Sequence, residues 1–517
     1  MNALTQRTKL GLEIAGAGVV AGITGDLLLR AMPWGLNVTL GTAALVGTSV
    51  WLVRRHKIQP GPDTAWLAIT ALLLGTAFLR RDAEELAMLD MMAMVITLAL
   101  AAASLQGERI SSWYPFDYAR GLVTGMFSSA VGSLRLVFND IQWRELPQDE
   151  RTRHVRGVVL GVLIAAPLLI IFAALFASAD PVFNSILSNA FAFNMDAVVQ
   201  HAFFIAFWGA LTAGYLRWGM LGKPVGLQSP AAKPIESVVP VATALALLNF
   251  LFLMFVVVQL RYFFGGASIV QETSGLTFAQ YAREGFFQLV VASGLVLPVL
   301  LGADHLVGTG TVAQVRVFRQ LAGLLLVLLA VIMASALQRM RLYVQAYGLT
   351  SDRLYATAIM ILLIGVFAWF AWTVLRGVRH RFAFGALMQG FAVLAGLHVL
   401  NPDAFIVNMN LNRPVAERPF DASYAASLGA DAVPSLIEAL PRLTEADRCT
   451  VVGKVLDRWS TLQSVEWLSV AGPNKTDWRT WNWSRARARK LVADRMEQLI
   501  AACPAAVKER QNETGNG

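Results

Sequence analysis

Charge is what this chain has least of. Only 15% of its 517 residues are Asp, Glu, Lys or Arg, while 56% are hydrophobic and the mean hydropathy is +0.55; soluble domains carry about 25% charged residues. That shortage excludes a soluble multidomain enzyme and a disordered chain. Cysteine is scarcer still. The two present, Cys449 and Cys503, exclude a disulfide scaffold and match no zinc or CxxC spacing. The six histidines contain no HExxH and no pair four apart, so spacing points to no metal or haem site, and no cofactor is expected. There is no GxxxxGK[ST] phosphate loop and no GxSxG elbow. The net charge of +9 is no nucleic-acid signal, because a membrane protein needs Lys and Arg in its cytoplasmic loops.

What the chain does have is long apolar runs. A crossing helix needs about 20 mostly apolar residues to span about 30 Å of hydrocarbon. Eleven runs qualify: Leu10–Leu29, Val38–Val53, Ala65–Leu79, Ala87–Leu105, Gly157–Ala177, His201–Met220, Val238–Leu260, Gly285–Gly302, Leu321–Leu337, Leu354–Leu375 and Phe384–Leu400. Glu13 and Asp26 inside the first, with no small-x-small site before Arg30, read as a retained helix and not a cleaved signal. Gly121–Phe138 is long enough to span, but Val123, Met126, Phe127, Ala130, Leu134, Val137 and Phe138 recur three and four apart. Arg120, Thr124, Ser128, Arg135 and Asn139 lie toward the other side, which is the pattern of a helix in the interface plane.

Charge decides the topology. With eleven crossings and the N-terminus inside, the cytoplasmic segments hold more than twice as many Lys and Arg as the outer loops, the largest share being the seven Arg of Gln106–Arg156. If Gly121–Phe138 crossed, the balance would tip outward, so the positive-inside rule favours eleven crossings. The expected architecture is an all-α polytopic bundle with a small soluble helical domain. It has four crossings in 1–105, a basic loop with an interfacial helix in 106–156, seven crossings in 157–400 and a C-terminal domain in 401–517. Ala425–Leu440 reads as two short helices joined at Gly429, with Pro434 in the first turn of the second. Ser484 is placed to cap a helix over Arg485–Ile500. Cys449 and Cys503 could pair if the tail is periplasmic, or could be two buried thiols.

This topology gathers the loops after the fifth, seventh, ninth and eleventh crossings on the outer side. They carry Asp180, Arg261, Tyr262, Arg339, Arg341, Tyr343, Tyr347, Asn401, Asp403 and Arg413, a polar and aromatic patch suited to an anionic or hydroxylated ligand. The same residues also suit interfacial anchoring. Asp90 lies near a helix end and reads as partly hydrated, and no crossing carries a central charge with an obvious partner, which disfavours a proton-coupled transporter. Asn249 reads as an interhelical hydrogen bond. In the tail, Trp478, Trp481, Trp483 and Arg485 could grip lipid headgroups or a glycan, or could be core tryptophans beside a solvated Arg face.

LFASADPVF (Leu175–Phe183), QLRYFFGG (Gln259–Gly266), RLYVQAYGLTSDRLYA (Arg341–Ala356), NPDAFIVNMNLNR (Asn401–Arg413) and SLGADAVPSLIEAL (Ser427–Leu440) resemble the signature segments of a bacterial polytopic family catalogued as domains of unknown function 4153 and 4173. The resemblance implies a bacterial cytoplasmic-membrane protein and implies no established substrate. The expected partners are the bilayer and a periplasmic ligand or protein, not nucleic acid. The expected function is binding, sensing or transport rather than catalysis. The alternatives are a membrane transferase using a lipid-linked donor, for which Asp180 and Asp403 would have to act as the acids, and a non-catalytic assembly scaffold.

Overall fold

The computed structural model describes residues 4–146, 195–223, 237–264, 286–308, 310–413, 419–460 and 477–504, with single positions between 161 and 183. Among the described residues there are helices and turns and no strand. The long helices are α1 (Gln6–Leu29), α2 (Leu36–Arg55), α3 (Thr64–Arg80), α4 (Glu84–Leu105), α5 (Pro115–Arg135), α6 (Met195–Leu221), α7 (Val239–Phe264), α8 (Phe286–Val307), α9 (Val312–Tyr347), α10 (Ser351–Thr373) and α11 (Phe382–Leu400). Shorter helices follow: α12 (Pro402–Leu411), α13 (Ala422–Ser427), α14 (Val433–Ala439), α15 (Glu445–Trp459), α16 (Trp483–Asp494) and α17 (Met496–Ala502).

Apolar side chains gain nothing by leaving lipid for each other, so helices in a membrane associate through close backbone packing at small residues. The N-terminal half is built this way. Along α1, Gly18, Gly22 and Gly25 face α6, which runs antiparallel. A Cβ at Gly18 would stand 2.9 Å from that of Ala213, one at Gly25 2.6 Å from Trp208, and one at Gly22 would overlap the carbonyl oxygen of Ile205. α5 crosses α6 at a second such point, where a Cβ at Gly132 would lie 2.8 Å from Gly214 and one at Gly214 would overlap the Ser129 carbonyl oxygen.

Polar contacts sort the helix ends into two groups, here called the basic end and the domain end. At the basic end, Arg55 donates to Glu13 (2.9 Å), Gly61 donates to the Ser104 carbonyl (2.7 Å) and Arg379 meets Asp304 (2.9 Å). At the domain end, His201 lies 2.5 Å from Asp26, Arg81 2.9 Å from Asp431 and His398 2.9 Å from Asp90. Helices α1–α4 and α6–α11 each run from one end to the other. The chain leaves the described region at the basic end after Trp143, which packs with Leu10 and Ile14, and is met again at the domain end at Met195. The apolar run Gly157–Ala177 lies largely outside the described residues.

Helix α5 behaves differently. It starts beside the turn Ile110–Ser112, where the Tyr118 hydroxyl donates to the Ile110 carbonyl (2.8 Å). It ends in a π turn, Leu136–Asp140, whose aspartate binds Arg7 (2.6 Å) in the first turn of α1 and Arg217 (2.5 Å) near the end of α6. Both ends of α5 therefore sit at the basic end. By length and composition Pro115–Asp140 would count among ten crossing helices and the 17 residues of Thr64–Arg80 would not. Contacts reverse that order: α3 joins the two ends, and α5 lies across one of them. Its small residues Gly121, Gly125, Ser129 and Gly132 are buried, while Val123, Met126, Phe127 and Leu134 are exposed.

Three stretches expected as loops are helical. Arg339, Arg341, Tyr343 and Tyr347 extend α9, which at 36 residues outruns a bilayer; Arg261 and Tyr262 continue α7; and Pro402–Leu411 forms α12. Nothing in RMRLYVQAY breaks a helix until Gly348, whose φ of 84° ends it. In the tail, Gly429 joins α13 to the turn before α14 and Pro434 is in the first turn of α14, as the sequence predicts. The expected cap differs: Asn482, not Ser484, accepts from Arg485 N–H (3.0 Å), and the helix breaks at Arg495. Cys449 and Cys503 are joined in a disulfide. The domain core, around Leu436, Val452 and Val492, also takes in Leu349 and Leu354 of the bundle, so the two parts share one apolar centre.

Replacement of Gly214 by Leu forces α5 off α6, because its Cβ has no space against the Ser129 backbone. The expected result is a loss of about 3 kcal/mol, read as a lower unfolding temperature in detergent. Gly16→Ala, where a Cβ meets nothing within 4 Å, leaves that temperature unchanged.

Candidate functional site

The α3–α4 turn, Arg80-Arg81-Asp82, projects three charges from the domain end, and the C-terminal domain closes over them. Arg81 gives Nη1 to Asp431 (2.9 Å) and Nε and Nη2 to the His398 carbonyl (3.1 and 2.6 Å). The Asp82 backbone N–H donates to the other oxygen of Asp431 (2.9 Å). The Asp82 carboxylate meets Arg485 (2.7 Å) and accepts from Ala430 N–H (3.1 Å). Ser484 donates to Asp431 (2.8 Å) or to the Arg80 carbonyl (2.7 Å), and Asn482 donates to the carbonyls of Phe78 and Arg81 (both 2.8 Å). Asp403 accepts from Gly429 N–H (2.9 Å). Gly429 is required there, since a Cβ would stand 2.6 Å from both Asp403 Oδ2 and the Asp82 carbonyl oxygen.

This seam concentrates acids. Asp403 is 2% exposed. Burial, with Asp431 adding to it, pushes its carboxyl up to about 7. Burial also raises Asp82, against the pull of Arg485. A buried carboxyl of this kind is neutral when the pH is below its folded value and must be ionised at a cost above it. Beside the seam lies a cleft of about 240 Å³ lined by Asn401, Asp431, Ser435, Glu438, Ser484 and Arg487. Among the described residues no group of three or more His, Cys, Asp or Glu is placed to hold a metal ion.

Of the residues expected to form one outer patch, five fall into two sets joined by α12. Asn401 and Asp403 belong to the seam. Around the Gly348 turn, Tyr343 packs on Tyr347 (5.2 Å) and under Arg353 (4.0 Å), Asn410 brackets Leu349 with bonds of 2.7 and 2.8 Å, and Arg413 approaches Gly348. Arg339 donates to Gln259 (2.8 Å) and Arg341 is exposed. Asp180 ends a helical turn, accepting from Phe183 N–H (3.3 Å). The side chains of Arg261 and Tyr262 lie outside the described residues.

Three readings need correction. Arg485 is 7% exposed, held by Asp82 and by the Pro33 and Trp34 carbonyls, and so is closed to headgroups or glycans. Trp478, Trp481 and Trp483 are 59, 43 and 49% exposed, which rules out a core role. Asp90, near the start of α4, is 2% exposed and paired with His398, so it is not hydrated as its place near a helix end suggests. Asn249 makes the interhelical bond expected of it, to the Leu321 carbonyl (3.0 Å). Sequence reading missed Arg81, Asp82, Asp431, Asn482 and Ser484. Only Asp431 had a signal, its place in SLGADAVPSLIEAL.

The folded Asp403 holds its proton to about pH 7, whereas a free Asp ionises near 3.9. The folded state thus binds more protons between those values, and stability falls as the pH rises toward 7. Asp403→Asn keeps an acceptor for Gly429 without a charge. It is expected to flatten unfolding temperature against pH between 5 and 8 and to stabilise the chain at pH 8 by about 1–2 kcal/mol. Arg485→Ala, which leaves Asp82 buried and unpaired, is expected to cost about 3–5 kcal/mol. Thermal unfolding in detergent checks both.

Comparison with known proteins adds a family and no relative. No curated protein and no solved structure matches the chain. Residues 68–439, from within α3 to the end of α14, match the family described as Domain of unknown function (DUF4153). That match covers most of the crossings and both sides of the seam, and the chain belongs to this family.

Proposed function

We propose that this is a multi-pass protein of the bacterial cytoplasmic membrane that holds its C-terminal domain on the outer face and binds or senses a small polar ligand or partner in the cleft at the seam. The cleft carries this reading: Asn401 comes from the end of α11, whereas Ser435, Glu438 and Arg487 come from the domain. An occupant therefore touches both parts at once, beside a carboxyl poised near neutrality. Two carboxylates, an arginine and hydroxyls within about 240 Å³ suit a small zwitterion or amino sugar better than an apolar molecule.

Two features at opposite ends support the orientation. Arg7, Lys9, Arg54, Arg55, Lys57 and Arg379 cluster at the basic end, which supports a cytosolic position for it and for the N-terminus. The disulfide is in the domain at the other end and fits an oxidising compartment. The flat α5 then lies along the cytosolic surface with its exposed apolar side chains in lipid. The exposed Trp478, Trp481 and Trp483 lie by the start of α2, where Leu36 N–H donates to the Trp481 carbonyl (2.9 Å). That is the level of an outer aromatic belt.

Alkaline phosphatase fused after Gly517 is expected to be active, and a fluorescent protein fused there to stay dark; the opposite pair of results overturns the orientation. For the cleft, the purified chain is screened by thermal shift against amino acids, polyamines and amino sugars. At least one compound is expected to raise the unfolding temperature, and Glu438→Gln with Arg487→Gln to abolish that rise. A panel without effect on the wild type, together with full complementation of a gene deletion by the double variant, refutes binding there.

A further inference from the structure

A long cavity lies among the described membrane-crossing helices, away from the seam. It measures about 930 Å³ and is walled by α1, α2, α4 and α6, with Gly125, Met126 and Ser129 of α5 lying across its basic end. Along α1 it extends from Glu13 to Leu29, about 24 Å at 1.5 Å per residue. Its wall is mostly apolar, and two of the hydroxyls that line it are engaged with their neighbours. Thr24 donates to the Val20 carbonyl (2.9 Å) and Thr42 to the Met94 sulfur (3.4 Å). Water finds few hydrogen-bond partners along such a wall, and an empty space of this size forfeits the contacts of the side chains around it. The matter available at this depth is hydrocarbon.

One end of the cavity carries charge. Glu13 and Trp51 line it there. Arg55 gives its Nε to Glu13, and its guanidinium, 56% exposed, lies 5.4 Å over the Trp51 ring. Arg54 and Lys57 flank it in the chain. A long apolar slot that ends at arginine and a membrane-border tryptophan is complementary to a tail with an anionic head.

We infer that this cavity is a lipid site, occupied by an acyl chain of an anionic phospholipid from the leaflet at the basic end, with the phosphate against Arg55. The tail stands in for the core that α1, α2, α4 and α6 do not supply among themselves, and Gly125, Met126 and Ser129 of α5 line the end where the head sits.

The test uses the full chain released from its own membranes in mild detergent and examined by native mass spectrometry. One anionic phospholipid is expected to stay bound per chain. Gly16→Leu with Ala44→Leu places bulk in the slot, and a Cβ at Gly16 meets nothing within 4 Å. This variant is expected to keep its helix content and lose retention by about tenfold. Arg55→Gln, a change at a half-exposed side chain, serves if the filled variant does not fold; it is expected to retain phospholipid without preference for anionic heads. Undiminished retention in a folded filled variant, unchanged head selectivity in Arg55→Gln, or a wild type that retains a quinone, a polyisoprenoid or nothing would each overturn the inference.

Discussion

The bundle depends on places where backbone meets backbone. In hydrocarbon no apolar side chain is driven from one neighbour to another, so the closeness of approach decides which helices pair. At Gly22 against Ile205 and at Gly214 against Ser129 the approach is so close that no side chain fits. These contacts fix α6 antiparallel to α1 and set α5 against α6. The same contacts bring Asp140 within reach of Arg7 and Arg217, which would otherwise be isolated charges at a membrane surface.

At the other end charge does what glycine does in the bundle. Burying Asp82, Asp431, Arg81 and Arg485 is expensive, and the expense is offset only when every partner is in place. Such a network favours one docked arrangement and penalises near misses. It also buries Asp403 beside other acids, Asp431 foremost, and both effects push its proton affinity up.

Much of the fold is legible in the chain because hydropathy acts residue by residue. The apolar runs mark the helices, and the three-and-four spacing in Gly121–Phe138 marks a face. The buried side of that helix is less legible, since glycine and serine carry no hydropathic signature and their role appears only against Trp218 and Gly214. Expected loops around Arg341 and Asp403 are helices, because interfacial composition says where apolar sequence stops and not where hydrogen bonding stops. Trp478, Trp481 and Trp483 are exposed although tryptophan is usually buried. Their sequence alone could not show that the neighbouring surface is a bundle end, where an amphipathic ring is at home.

The sequence by itself determined that the chain is helical and made for a membrane, because long runs with few charges leave the backbone no other way to satisfy its hydrogen bonds in lipid. It also placed the patch residues near helix ends, where polar groups can reach water. Only the tertiary structure decided how they are divided. Asp403 and Arg485 serve the dock, Tyr343 and Asn410 the Gly348 turn, and Asp90 a pair with His398. Arg81 and Asp431 stand 350 positions apart. Whether two such charges attract, and whether either stays free for a ligand, depends on distance and burial in space, which no local pattern records.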